Sequence, residues 1–287
     1  RVTGSGGTAA ELYVSAPRHA EDLLARELTA LGARPLRRLR GGVLVRGDAA
    51  LAVRICRHAR IAGRVLWPLA HLSARDADTL RAALATVPFE RHVPPDGGFL
   101  VRVDGVNEAL RNSHFTALLV KDAVADRLRA REGRRPDVDP AGLRLEGRLH
   151  RDRLHLSVNL AGRSLGRRGY RTEGGDAPLA ENLAAALLAR LGWPGDGGGA
   201  FLDPLCGSGT LVVEAALLAR PDLRPPRDDY GFLRWRALPP ALRDPEAAGP
   251  PPEPPGRPGP ILGRDEDPAQ LERARANALR AGVGDLV

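Results

Sequence analysis

Apolar positions along this chain switch between a period of two and a period near 3.6, and the switches mark alternating strands and helices. Near the N-terminus LYVSAP reads as a short strand. PRHAEDLLARELTALG follows as a helix that gathers Leu23, Leu24, Leu28 and Leu31 on one side and stops at Gly32. GGVLVRG is the next strand. These residues, 11–50, form a first unit of β-α-β type in which no side chain calls for chemistry. Arg37, Arg38 and Arg40 read as a solvated face, with phosphate contact as the alternative. A second unit, residues 51–162, opens on a helix carrying Leu51, Val53, Ile55, Ile61 and Val65. GGFLVRVDG is a strand, and the helix predicted from Ser113 to Arg129 stacks Val120, Val124 and Leu128 at i, i+4. LRLEGRLHRDRLHLSVNLAG then reads as a hairpin, because Leu154, Leu156, Val158 and Leu160 alternate as in a strand with one buried face.

The third unit, residues 166–287, has a different texture. Asp176, Ala177 and Pro178 precede an Ala/Leu-rich helix that ends at Gly192, with proline in the first turn and glycine at the stop. FLDPLCGSGTLVVEAALLAR, residues 201–220, reads as a buried strand, a glycine turn and an apolar helix. Ile261 and Leu262 close another strand with Asp265 at its end. Asp267, Pro268 and Gln270 start the helix that Gly282 stops. A strand ending in a carboxylate, repeated, is the rim of a doubly wound sheet, where nucleoside-type cofactors bind. Between these pieces lies DDYGFLRWRALPP. Its Tyr230, Phe232 and Trp235 either stack on bases, with Arg234 and Arg236 near phosphate, or pin the segment to the domain; pinning is the favoured reading. Residues 239–260 are proline-rich and read as a flexible or extended linker.

Charge adds a partner to this picture. The formal net charge of +8 points to an anionic partner, of which nucleic acid is the usual one. Lys121 is the only lysine, so the surplus is arginine, and genomic base composition is the competing explanation. Cys56 and Cys206 lie far apart with no zinc spacing, so no metal site is expected and a reduced, cytoplasmic protein fits. No apolar run approaches the ~20 residues that span a bilayer, and no signal peptide is present. No methionine occurs, even at position 1, which suggests a processed start or a fragment. Oligomeric state is not legible.

The glycine turn narrows the cofactor. C-G-S-G-T lacks the third glycine of the dinucleotide fingerprint, and Asp203 beside it suits a cationic sulfonium better than a pyrophosphate. Asp-Pro-x-Cys-Gly-Ser-Gly-Thr resembles the first motif of S-adenosylmethionine-dependent methyltransferases, in the branch that modifies exocyclic amines of nucleobases. The resemblance makes Asp203, Pro204, Cys206, Gly207, Ser208 and Gly209 the cofactor loop. Asp265, after the second strand, takes the place of a ribose ligand. The string R-R-G-Y-R followed by A-P-L-x-E-x-L-A-A-A resembles the segment before the cofactor loop in guanine-N2 RNA methyltransferases. It makes Pro178 and Glu181 candidate lining residues, although Ala180 stands where that family often has lysine. A solvated helix glutamate is the plainer reading of Glu181. Residues 105–139 resemble the signature of a THUMP domain, an RNA-binding module, on Arg111-Asn112-Ser113, Lys121-Asp122 and Arg135-Pro136-x-Val138-Asp139. The likeness implies RNA contacts by Arg111, Asn112, Lys121 and Arg135. Helix capping explains Asn112 or Ser113 equally well.

Taken together the chain is similar to the bacterial 23S rRNA guanine-N2 methyltransferases, THUMP-containing class I enzymes that use S-adenosylmethionine. That resemblance implies an α/β fold: an N-terminal ferredoxin-like piece, a THUMP α/β domain, and an incomplete doubly wound (Rossmann-like) methyltransferase domain. It implies 23S rRNA as partner and methyl transfer to a guanine flipped out of its stack. The family's Asn-Pro-Pro-Tyr motif does not occur in the sequence, so no catalytic residue is assigned. The expectation is a truncated portion, inactive alone. A non-catalytic THUMP RNA-binding protein, or a tRNA-guanine or adenine-N6 amino methyltransferase, are the alternatives.

Overall fold

Backbone pairing between residues distant in sequence organises the N-terminal half. The computed structural model describes residues 9–134, 136–172, 179–193, 199–220, 222–223, 227–251, 253 and 259–287. The chain runs β1 (Ala10–Ser15), α1 (Glu21–Ala30), β2 (Arg34–Leu39), β3 (Gly42–Gly47), α2 (Ala49–His58), β4 (Val65–Ser73) and α3 (Ala77–Leu84). It continues through β5 (Phe99–Asp104), α4 (Ser113–Glu132), β6 (Leu143–His150) and β7 (Arg153–Asn159). These seven strands make one sheet in the order β2-β3-β1-β4-β7-β6-β5, with β5 and β6 parallel and the other pairs antiparallel. The units divided by sequence near residue 50 thus share a sheet, joined where Tyr13 pairs with Leu66.

Alternation decides which face is covered. Leu12, Val14, Val43, Val45, Leu145, Leu149, Leu154 and Leu156 are buried, and they pack with Leu24 and Leu28 of α1 and Val120, Val124 and Leu128 of α4. Helix ends follow capping chemistry. Asp48, Asp76 and Asn112 accept first-turn amides of α2, α3 and α4, and Gly133 ends α4 in the left-handed region at φ 70°.

Three elements depart from the periodicity reading. Residues 34–39, expected only as a basic surface, form the edge strand β2. Its residues are exposed, apart from a partly covered Leu39, so no apolar alternation betrays it. The helix expected to run to Val65 stops at His58, and Val65 opens β4 instead. β4 carries Pro68 at a register shift between Pro68 and Ala70, and that bulge breaks the two-residue period. The proline-rich stretch is ordered at its start. Residues 240–243 and 245–248 form short 3-10 turns, with Ala248 buried and its carbonyl accepting from Arg54 Nη1 at 2.8 Å.

The aromatic segment is pinned. Tyr230, Phe232 and Trp235 are all buried, so no ring face is left for a base. The Trp235 ring lies 4.9 Å from Trp67, and its Nε1–H donates to His92 Nδ1 at 3.0 Å. Arg236 pairs with Glu132 at 2.8 Å rather than standing free.

The C-terminal region comprises α5 (Glu181–Arg190), β8 (Phe201–Asp203), α6 (Thr210–Ala219), β9 (Ile261–Gly263) and α7 (Pro268–Arg280). β8 and β9 are parallel, and Tyr170, Val212, Val213, Leu217, Ile261 and Val283 form their core. No helix among the described residues is long and apolar enough to cross a membrane.

Candidate cofactor site

Parallel pairing of β8 with β9 brings Asp203 and Asp265 to one rim. The main chains are stitched beyond the strands: Arg264 N–H donates to the Asp203 carbonyl, and Cys206 N–H to the Arg264 carbonyl, each at 2.8 Å. Asp265 then closes the loop. One carboxylate oxygen accepts the Gly207 N–H at 2.8 Å, and the other accepts the Asp267 N–H at 3.0 Å. Donation from Asp267 and Gly207 holds the Asp265 carboxyl below its usual range. Asp203 accepts the Leu205 N–H at 3.2 Å.

Two glycines shape this turn for different reasons. Gly209 has φ 82°, and a Cβ there would lie 2.8 Å from the Ala274 Cβ on α7. Gly207 has φ 51°, yet a Cβ there would meet no atom within 4 Å. A side chain at Gly209 would therefore collide with α7, while the space beside Gly207 is open. Cys206 is buried and its sulfur packs under Gly263; burial, with Asp203 and Asp265 nearby, raises its thiol. Pro204 and Ser208 lie in the same turn, and the Ser208 carbonyl accepts from Asn277 Nδ2 at 2.9 Å.

Glu181 sits in the first turn of α5, 4 % exposed, with Arg171 at 3.3 Å. Burial pushes its carboxyl above the usual range, and Arg171 opposes that shift. Arg171 also donates to the Thr210 hydroxyl at 3.3 Å, which links Glu181 to the start of α6. Pro178 lies outside the described residues.

Sequence reasoning missed the side chains that hold the loop from behind. Asn277, 1 % exposed on α7, reads in sequence as an ordinary polar helix residue. Arg168 and Tyr170, within the noticed R-R-G-Y-R string, converge on Glu214 of α6. Arg168 reaches the carboxylate at 2.9, 3.0 and 3.1 Å, and the Tyr170 hydroxyl donates at 3.2 Å. Glu214 is fully buried and serves this ion pair. A buried Glu inside the apolar run of α6 was the available signal.

The candidate RNA residues within the described chain each have a local partner. Asn112 caps α4, its side-chain oxygen accepting from His114 and Phe115. Arg111 donates to the Glu108 carbonyl at 2.7 Å, and Lys121 pairs with Asp122 at 3.2 Å. Arg135 lies outside the described residues.

Residues 11–66 match the RlmL ferredoxin-like domain, 74–159 the THUMP domain, and 168–287 the RMKL-like methyltransferase domain. The chain is 45% identical over 232 residues to the ribosomal RNA large subunit methyltransferase K/L of Cellvibrio japonicus, covering 78% of this chain and 31% of that protein. It is 42% identical over 288 residues to the protein of the same name in Pseudomonas entomophila, covering 96% and 39% respectively. The chain thus spans between 31% and 39% of the length of these two relatives. Among solved structures, a predicted N6-adenine-specific DNA methylase from Listeria monocytogenes superposes with TM-score 0.82 at 29% identity, over 98% of this chain and 74% of that one. SMU.472, solved in complex with SAH, gives TM-score 0.82 at 26% identity, over 99% and 75%. Ferredoxin-like, THUMP and methyltransferase domains follow one another along residues 11–287, and the chain belongs to the RlmL-like family of THUMP-containing methyltransferases.

Proposed function

We propose that the loop Asp203–Thr210, with Asp265, holds S-adenosylmethionine, and that the protein methylates the exocyclic N2 of a guanine in 23S rRNA. The observation that carries this reading is the Asp265–Gly207 clamp with open room above Gly207. It sets two carboxylates and a loop without side-chain cover at the rim of a parallel strand pair. Asp203, at the end of β8 where the loop begins, suits the sulfonium charge; Asp265 keeps lone pairs for ribose hydroxyls. Glu181, buried beside Arg171 at the start of α5, is assigned to the lining of the same site, and S-adenosylmethionine supplies an activated methyl group. The reaction required is attack of the guanine N2 on the methyl carbon as the carbon–sulfur bond breaks, followed by proton loss from nitrogen. The amine lone pair is delocalised into the ring, so the base must be extruded and held in line.

The names of the relatives support ribosomal RNA as the substrate, and the R-R-G-Y-R string, which resembles guanine-N2 RNA methyltransferases, supports guanine. The division of labour follows the units, residues 11–50 and 51–162 for RNA and 166–287 for cofactor, in the cytoplasm. Isothermal titration with S-adenosylmethionine tests the site: saturable one-to-one binding is expected, and its absence would overturn the assignment. Nucleoside mass spectrometry of 23S rRNA from a deletion strain tests the reaction, with one N2-methylguanosine expected to disappear. The likeness to the Listeria methylase favours a second reading, amino methylation of adenine at N6. Loss of N6-methyladenosine instead would establish it.

A further inference from the structure

Helices cover one face of the seven-stranded sheet, and strand register gathers a second set of side chains on the other. Pairing of β2 with β3 sets Arg34 opposite Arg46, and pairing of β1 with β3 sets Arg46 opposite Glu11. At the far end Arg148 lies opposite His155 and Asp104, Arg153 opposite His150, and Arg102 opposite Glu146. Directly opposed residues point to the same face. They alternate with the buried Val45, Val103, Leu149 and Leu154, which places them on the side away from the helices.

This open face is basic in excess of its acids. Glu146 is committed to Arg64 at 3.0 Å and to Asn159 at 2.6 Å, and Asp104 lies 3.5 Å from Arg102. Among the described residues, no acid lies within ion-pair distance of Arg34, Arg46, Arg144, Arg148 or Arg153. A merely solvated sheet face intersperses both signs. At the β5–β6–β7 end a cavity of about 150 Å³ deepens the surface, lined by Arg64, Arg102 and Arg144 with one acid, the Arg64-paired Glu146, and by Asn159 and Ser164.

The chemistry of the face selects its partner. No Phe or Trp among the described residues of these strands is exposed; of the other rings on this face, Tyr13 is half-buried with its hydroxyl donating to the Gly41 carbonyl, and His71 and His155 pack against each other at 4.5 Å. Leu44, Leu66 and Leu100 are half-buried, so the face lacks the protruding apolar side chains that anchor a protein in a bilayer. What remains is a field of guanidiniums, the group suited to bidentate pairing with phosphate. Seven strands ~4.8 Å apart spread that field over roughly 29 Å.

We propose that the open face of the sheet, with Arg34 and Arg46 at one end and Arg144, Arg148 and Arg153 at the other, docks a folded RNA through its phosphate backbone. The proposal rests on the RNA-directed reading above and places the RNA on the side opposite α4. The docking term is sequence-independent, and base choice is left to the methyltransferase domain.

Binding of a fluorescein-labelled hairpin from 23S rRNA, followed by anisotropy across about 50–200 mM salt, tests this. The triple variant Arg46→Ala/Arg148→Ala/Arg153→Ala is expected to lose at least about tenfold in affinity. Its plot of log K against log salt should flatten by about 0.9 for each phosphate contact removed. Arg129→Ala/Arg131→Ala, in the last turn of α4, should change neither. Thermal midpoint and circular dichroism verify folding, and Arg148→Glu alone gives a second, milder probe. Unchanged affinity and slope in the open-face variants, or equal losses in the α4 variant, would overturn the docking surface while leaving the RNA reading intact. Failure of the parent chain to bind the hairpin would overturn both. Binding to phosphatidylserine vesicles without hairpin binding would make the face a membrane surface instead.

Discussion

Two glycines two residues apart make separable demands on the same loop. Both have positive φ, so alanine strains either by about 1–2 kcal/mol. Only at Gly209 does the new methyl also collide, with Ala274 on α7. Gly209→Ala is therefore expected to cost about 2–4 kcal/mol in all, read as a fall in urea midpoint. Gly207→Ala should cost about half as much stability, yet weaken S-adenosylmethionine by about tenfold, because its methyl points into the ligand's room. Equal cofactor losses in both variants would contradict this division. At this scale the sequence was informative where chemistry is local. The glycines and the acid after each strand are legible because a turn needs them wherever it occurs. Asn277 was not, because its partner, the Ser208 carbonyl, lies 69 positions away.

Elements built from nearby residues were legible for the same reason. Helix α4 and the β6–β7 hairpin follow from their own periodicity and caps, whereas β2 and β4 take their identity from neighbours. The aromatic insert shows how such non-local packing carries a measurable signature. His92 accepts a hydrogen bond from Trp235 at Nδ1, so it must be neutral there, and burial brings its pKa down to about 4. Arg91 adds to that depression, while Glu90 opposes it. The folded pKa lies below the ordinary value, about 6.5. The stabilisation is therefore present above pH about 6.5 and lost as pH falls toward about 4. The loss amounts to about 3 kcal/mol over that window. Urea unfolding at pH 7 and at pH 4.5 should show it, and His92→Gln should be much less sensitive over the same interval. Glu90, which the Arg127 hydrogen bonds hold down to about 2, titrates below this window. Burial also lowers His71 and His155, which weaken the fold in the same direction as pH falls, so the difference between the parent and His92→Gln isolates His92. A parent chain equally stable at both pH values would remove His92 from this role.

The parts of the molecule meet at a buried ion pair beside an apolar seam, where Ala185 and Ala186 of α5 join the core of the sheet. Arg168 spans the junction. It binds Glu214 of α6 on one side, and on the other its Nη2 donates to the Arg60 carbonyl at 2.6 Å, in the segment between α2 and β4. Arg60 is itself buried, and its Nη2 donates to the Leu223 carbonyl at 2.9 Å. Burial and the neighbouring Arg168 bring the Arg60 guanidinium down to about 10. Glu214 thus answers two arginines, and removing it leaves like charges facing each other out of water. Glu214→Ala is expected to cost about 3–5 kcal/mol, the usual loss when one partner of a buried pair is deleted. Replacing both partners, as Arg168→Met/Glu214→Leu, removes the uncompensated charge with the pair. The double variant should be more stable than Glu214→Ala, though short of the parent, because the Leu165 and Arg60 carbonyls lose their donor. Chemical denaturation of the three proteins decides it. If the double variant is no better than the single, the junction depends on those carbonyl contacts and not on charge balance.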